Sequence, residues 1–496
     1  MKKSWLLVVP AIALLASCGK TDASVPATSS GAGGVSSAAD SIKNPWWKST
    51  GEIKKDSDGK VVYDEVAVNL VSVVSGDDLE PFKSIVNDFN TAYRGKININ
   101  VESVGESSFE KTISDRVSQN SNPPDLIMSH QKGHKSFADN QIVQPFDEAI
   151  SASGIAYSPN DIVSNLADDS DLGYSGHVFN IPVDGQSVVL LYNKTLMNKY
   201  ATGGKLPENA SEFQAVCQAA KTGEGSSFIP FSIPVSGNTF FQRYFVMTSL
   251  MQNNFAPYGD DYKVTWGTGN NKDAFVKGID AVRNLFYGSS PVSSYGNGTA
   301  AAYTSFYNDR SLFLATYPWE VDAILSAYGE AHNNMSIEAV KSQKVGGFST
   351  AGIFQADPTD ANAYKIFGDS HAFILSKTVT DVTTKAACLE FVHWFINDVQ
   401  AGIDWANAGH ISASHYINNA DAYKNDEYVK NYIQAYYTDI NEFVTAGNTP
   451  YYTITFDELN SLIASCMDKA ITDSDISSKA TTSANKVNAA IEFINE

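Results

Sequence analysis

Eight residues carry side chains suited to chemistry and stand at or near the ends of apolar runs: Asp77, His130, Asp184, Asn238, Trp319, Asp369, His371 and Tyr451. They comprise carboxylates, imidazoles, an amide and two aromatic rings. Charged and amide groups form directional hydrogen bonds to hydroxyls, each contributing about 1.5–3 kcal/mol when one partner is charged. Aromatic faces cover apolar C–H surface with few rotors to freeze. Such a set suits reversible capture of a polyhydroxylated solute. Each residue alone also fits a plainer role as a cap or surface group. Asp77, for example, fits the N-cap of a helix opening at Leu79.

Bond-breaking chemistry is poorly served. Gly347-Phe348-Ser349-Thr350-Ala351 is one residue off a nucleophile elbow, but no helical pattern follows it. The neighbours Asp77-Asp78, Asp168-Asp169 and Asp260-Asp261 diverge along the chain, whereas a glycosidase needs two carboxylates facing each other across about 5–9 Å. Gly267-Thr268-Gly269 lacks the P-loop lysine and reads as a turn before a helix. His130 and His134, and His410 and His415, are spaced like metal ligands. No His-Glu-x-x-His is present, however, and Gly133 disfavours a helix across the first pair. Asp56-Ser57-Asp58-Gly59 lacks the downstream ligands of a calcium loop and reads as a turn. The expectation is a protein that is not an enzyme, with no metal and no cofactor. Cys217, Cys388 and Cys466 fall in helical patterns and read as small buried apolar residues.

The elements that must position these groups are legible in the apolar patterning. Glu65–Val74 reads as a strand that stops at Ser75-Gly76-Asp77-Asp78. Phe82, Ile85, Val86, Phe89 and Tyr93 then recur at helical spacing. Ile97, Ile99 and Val101 alternate as a strand, Phe109, Ile113 and Val117 mark a second helix, and Asp125–Met128 is a strand ending at Ser129-His130. Strand–helix–strand–helix–strand at this spacing is a doubly wound α/β unit, in which ligands sit beyond the carboxyl ends of the strands. Two further stretches share one grammar. Ile181–Gly185 and Gly368–His371 are polar turns, each running at once or nearly so into a core strand (Val188–Tyr192 and Ala372–Leu375). Both read as crossings between two globular bodies, so Asp184 and Asp369 should flank one cleft.

A chain of 496 residues exceeds one core. Its formal charge of −20 argues against nucleic acid as partner, because phosphate binding needs basic patches. The start reads as an export signal, with Lys2-Lys3, an apolar run Trp5–Ala16 and then Leu15-Ala16-Ser17-Cys18. One reading is a cleaved signal peptide with an incidental cysteine. The other is a lipobox in which Cys18 is lipidated and anchors the protein to a membrane. Gly19–Ala39 is a Ser/Ala/Gly/Thr tether unable to form a core. Trp46-Trp47 should dock on the folded body.

The order of further motifs resembles a known family. Asn122-Pro123-Pro124-Asp125-Leu126, Ile142-Val143-Gln144-Pro145-Phe146, Ile181-Pro182 and Leu191-Tyr192-Asn193-Lys194 follow one another. Leu206–Phe213 is similar to a "P-x-T-W-x-E-F" helix opening, with Asn-Ala in place of Thr-Trp. Tyr262–Trp266 with Phe275, Ile279, Val282 and Phe286 resembles a hairpin and helix. Leu312–Trp319 resembles a strand ending in Pro-Trp, and Phe391–Ile396 an "F-x-x-F/W" helix. Ala406–Ser414 resembles an "a-x-a-G-y-l-P" segment in which His410 and Ser412 replace the aromatic and the proline. From Val61 to the end, the chain resembles the extracellular solute-binding proteins of family 1, the maltose-binding-protein type, which serve ATP-binding-cassette importers. The resemblance implies a two-lobed, type II periplasmic-binding-protein-like α/β fold with interleaved domains and a cleft between them.

The expected division is a signal peptide over 1–17 and an anchor and tether over 18–60. The N-terminal lobe takes 61–180 with 365–418, and the C-terminal lobe 181–364 with 419–496. The resemblance further implies that Trp319 stacks on the ligand, that the ligand is a carbohydrate (an oligosaccharide), and that permease subunits of the importer are partners. The expected protein is a monomer, lipid-anchored at the outer face of a bacterial membrane. A binding protein for another solute, or a secreted glycan-active enzyme or adhesin, is the alternative.

Overall fold

A computed structural model describes residues 45–495, apart from 168–169, 236–240, 260–261, 297, 356, 438–441 and 447–450. Cys18, Asn238 and the pairs Asp168-Asp169 and Asp260-Asp261 lie outside the described residues. In chain order the strands are β1 (Val66–Ser72), β2 (Ile97–Ser103), β3 (Leu126–His130), β4 (Val143–Gln144), β5 (Asn180–Pro182), β6 (Asp184–Gly185) and β7 (Val189–Asn193). They continue as β8 (Phe231–Ser232), β9 (Phe313–Thr316), β10 (Val345–Phe348), β11 (Ile366–Phe367), β12 (His371–Ser376), β13 (Ile411–Ser412) and β14 (Phe443–Val444).

Two sheets organise the molecule. The first runs β2-β1-β3-β12-β4, with β5 also paired to β12. Strands β1, β2 and β3 are parallel, joined by the helices Leu79–Ala92 and Phe109–Gln119, as the apolar periodicity requires. Phe82, Ile85, Val86 and Phe89 face the sheet because residues three and four apart share one helix face. Strand β12 enters this sheet antiparallel to β3, after the second sheet is complete. The second sheet runs β10-β7-β9-β8, with β7 at its centre. Val189, Leu190 and Leu191 are fully buried, which explains the unbroken apolar run: both faces of β7 are covered.

The chain passes between the sheets through short paired segments. Strand β6 pairs with β13, and β11 with β14. Gln186 and Asp369 exchange backbone hydrogen bonds, both 2.9 Å, so the two crossings are tied to each other. Gly368 packs so closely on Phe443 and the carbonyl of Gln186 that any side chain there would collide. One continuous apolar core joins the first sheet through this region to one face of the second. A second core lies on the opposite face, against the helices Tyr452–Cys466 and Asp473–Asn495.

Trp46 and Trp47 dock as expected. Trp46 Nε1 donates to the carbonyl of Val143 at 2.8 Å, and both indoles pack with Phe179. Cys217, Cys388 and Cys466 are buried free thiols, and burial pushes Cys466 up to about 11. The segment Tyr262–Trp266 departs from the expected hairpin. It has no strand among the described residues and inserts Trp266 into the core, ahead of a helix over Gly269–Tyr287.

Candidate functional site

Beyond the carboxyl ends of β1, β2 and β3 lie three turns: Gly76–Asp78, Glu106–Ser108 and Gln131–Gly133. They meet the crossings and the end of β9. Two polar clusters form there, with a rim beside them.

The first cluster centres on Asp184. Its carboxylate is fully buried and both oxygens are engaged. Oδ1 accepts the backbone N–H of His371 at 2.8 Å. Oδ2 accepts Trp405 Nε1–H at 2.7 Å and lies 2.9 Å from His371 Nδ1 and 3.2 Å from His410 Nδ1. Burial alone would raise this carboxyl, but the two imidazoles outweigh it and hold Asp184 well below the usual carboxylate range. His410 shows the reciprocal effect. Burial disfavours its charge, yet Asp184 and Asp78 raise it to about 9. Trp405 stacks on the His410 ring, with centroids 4.1 Å apart and planes within 3°.

The second cluster centres on Asp369. Lys132 pairs with Oδ2, His130 Nδ1 lies 3.3 Å from it, and Tyr244 donates its hydroxyl at 3.3 Å. Lys132 and His130 offset the burial of Asp369 and hold it well below its ordinary value. His130 Nε2 lies 2.8 Å from Glu106, whose carboxyl is lowered to about 2 by that hydrogen bond and the imidazole charge. The rings of His130 and His371 approach to 4.7 Å, which links the clusters.

The rim is different. Asp77 is exposed in the Gly76–Asp78 turn. The helix at Leu79 is preceded by Asp78 and has no side-chain cap bond, so the capping reading of Asp77 does not hold. Opposite it, the Pro318–Glu320 turn continues from β9 and touches the Gly76–Asp78 turn. Trp319 is half-buried there, and its ring lies parallel to Tyr317 at 5.0 Å and 9°. Tyr303 donates to Glu320, whose carboxyl is raised mainly by burial and further by the charge of Asp77. Gly409, at φ +101°, packs directly on Pro318, where no Cβ would fit. Beside the rim, Val188, Ile233, Phe241, Ala315 and Tyr317 line a small apolar pocket at the ends of β7, β8 and β9.

The family profile of bacterial extracellular solute-binding proteins matches residues 75–402. The chain belongs to this family. Its fold agrees: a sugar-binding MalE protein from Xanthomonas citri has a TM-score of 0.67 at 15% identity, covering 86% of this chain and 99% of that one. A cyclic α-maltosyl-1,6-maltose binding protein from Arthrobacter globiformis gives 0.64 at 14%, over 86% and 100%. The GacH receptor of Streptomyces glaucescens, solved unliganded and with acarbose, gives 0.63 at 12%, over 86% and 99%. No curated protein sequence matches the chain.

In this solute-binding protein the residues singled out from sequence separate by environment. His130, Asp184, Asp369 and His371 come together in the linked clusters, while Asp77 and Trp319 come together at the rim. Asp184 is fully buried, and its oxygens turn to the His371 N–H and the Trp405 indole rather than toward a captured solute. Tyr451 is also corrected. It is 3% exposed in the second core, immediately before the Tyr452–Cys466 helix. Its place in a late loop suggested exposure, but the following helix folds the ring inward. Glu106, Lys132, Tyr244 and Trp405 were not anticipated. The rule that points to carboxyl ends of parallel strands also covers Glu106 and Lys132. Nothing local marks Tyr244 or Trp405, which sit in helical stretches with apolar neighbours.

Proposed function

We propose that the chain captures a carbohydrate, an oligosaccharide, between its lobes and delivers it to the permease of an ATP-binding-cassette importer. The observation that carries this reading is Trp319, half-buried and parallel to Tyr317, on a turn that touches the turn bearing Asp77. An aromatic ring and a carboxylate on adjoining turns supply both interactions a sugar ring needs. The fold is shared with proteins whose crystal structures hold or are named for maltose, maltotetraose and cyclic α-maltosyl-1,6-maltose, which favours the same substrate class here. Lys132 is paired with Asp369, which disfavours an anionic solute.

In this reading His130, Asp369 and His371 frame the site rather than saturate the ligand, and Asn238 adds an amide contact to it. The lobe boundaries follow the crossings, 61–180 with 365–418 and 181–364 with 419–496. Cys18 supplies the lipid anchor at the outer membrane face, and the body acts as a monomer. Solute binding favours closure only to the extent that it prefers the closed form.

A thermal-shift screen against gluco-oligosaccharides tests the reading, since a ligand at 100 times its dissociation constant adds about 2.7 kcal/mol. A stabilising oligosaccharide whose affinity collapses in Trp319→Ala supports it. Stabilisation by peptides or polyamines alone overturns it.

A further inference from the structure

We infer that Asp184, His371 and His410 form a buried binding site for a zinc-class transition-metal ion, which would staple the crossings between the two sheets. The inference does not depend on which solute the protein captures.

The first ground is convergence. One ligand-capable atom from each of these three residues lies within 4.8 Å of the other two. His371 Nδ1 and His410 Nδ1 lie 2.9 and 3.2 Å from Asp184 Oδ2. Tetrahedral zinc with bonds of about 2.0–2.1 Å sets its ligand atoms roughly 3.4 Å apart, so accommodation needs shifts of only a few tenths of an ångström at these two pairs. Two imidazoles and a carboxylate are ligands that zinc accepts, with water completing the four.

The second ground is an unpaired atom. His410 is fully buried, yet its Nδ1 makes no hydrogen bond of acceptable geometry, although Asp184 is close. The atom is aimed into the cluster with its hydrogen-bonding capacity unspent, an unfavourable state that a bound ion would relieve.

The third ground is the outer layer. Metal-ligating imidazoles typically donate their other ring N–H to a carboxylate, carbonyl or water. His410 Nε2 lies 3.4 Å from Asp78 Oδ2. His371 Nε2 lies 3.5 Å from the Gln186 side-chain amide, whose oxygen and nitrogen exchange on a flip. Trp405 fixes the rest by stacking on His410 and donating to Asp184. Asp78, whose side chain keeps 17% exposure, marks the side from which an ion reaches the cluster.

The competing occupant of the space is a proton on His410, so metal uptake must release protons. Tag-free protein, stripped with EDTA and dialysed, is titrated with cobalt(II) chloride and then with zinc chloride. The expected result is one equivalent of cobalt with the strong visible bands of four-coordination, displaced by zinc, and a melting temperature higher by several degrees with zinc. His410→Gln should abolish the bands. Asp78→Asn, at a partly exposed position that folding tolerates, should weaken zinc affinity about 10- to 100-fold. This second variant decides the matter if His410→Gln fails to fold. Absence of four-coordinate bands in the parent protein, or an unchanged zinc affinity in Asp78→Asn, overturns the proposal.

Discussion

The Asp184 cluster and the Asp77–Trp319 rim lie close together and do opposite things with similar residues. In the cluster, the Asp184 carboxylate is satisfied by the His371 imidazole, the Trp405 indole and a backbone N–H away from water. At the rim, the Asp77 carboxylate is exposed and the Trp319 indole is half-buried. Burial separates the roles. A desolvated charge must be paired internally or it destabilises the fold, and once paired it has nothing to offer a solute. The cluster therefore ties the crossings together, and under the proposed function it is the rim that binds.

The largest effect expected from breaking this contrast is at the hub. Asp184→Ala leaves two imidazoles and an indole N–H without their shared acceptor, and removing one partner of a buried ion pair typically costs about 3–5 kcal/mol. Urea denaturation measures it. A loss below about 1 kcal/mol would assign the hub no structural role. Trp319→Ala should invert the outcome. Sugar affinity falls at least tenfold, as for an aromatic anchor contributing about 2 kcal/mol, while the melting temperature moves by only a few degrees. Calorimetric titration of both variants against one oligosaccharide sharpens the division.

The buried side should also carry acid sensitivity. His134, beneath the site, bonds Ser129 and Asn180, and burial lowers it to about 3. An imidazole with a folded pKa below its unfolded value of about 6.5 is kept neutral by folding. Its stabilising contribution is complete above pH 6.5 and is lost as the pH falls toward 3. Glu106, lowered to about 2, adds to the loss below its ordinary value of 4.5. Melting temperatures should decline from pH 6.5 to pH 4, below the range in which His410, raised to about 9, gains its proton, and less steeply in His134→Gln; identical slopes would place the acid response elsewhere.

Trp46→Ala should cost about 1–2 kcal/mol, from a lost hydrogen bond and lost aromatic packing, with oligosaccharide affinity unchanged because the docked segment lies away from the rim. Asp77→Ala should be mildest for stability, within about 0.5 kcal/mol as for an exposed residue, with a few-fold loss of affinity. A destabilised Asp77→Ala would mean that the rim, too, is structural.

Much of the first sheet was legible because its signals are local. Phe82, Ile85, Val86 and Phe89 impose a helix, Ile97, Ile99 and Val101 impose a strand, and neither needs a distant partner. The candidate site was legible in location and less so in role. Asp184 and Tyr451 resemble Asp77 and Trp319 in their flanking residues, and no local feature distinguishes the buried from the available. Lys132 was overlooked because a lysine after a strand normally points to water, whereas here Asp369 draws it in.

By itself the sequence determined the two crossings. The break at Ile181–Gly185 marks the first crossing, although the chain there forms the short strands β5 and β6 rather than a turn; Gly368 permits the close approach at the second, and the apolar runs after each can only be core. Tertiary structure decided what the crossings hold. Asp184 and His371 are 187 positions apart, and Trp405 and His410 come from a third part of the chain. Pairing energies between such groups depend on distance and on the exclusion of water, and only the packed fold sets either.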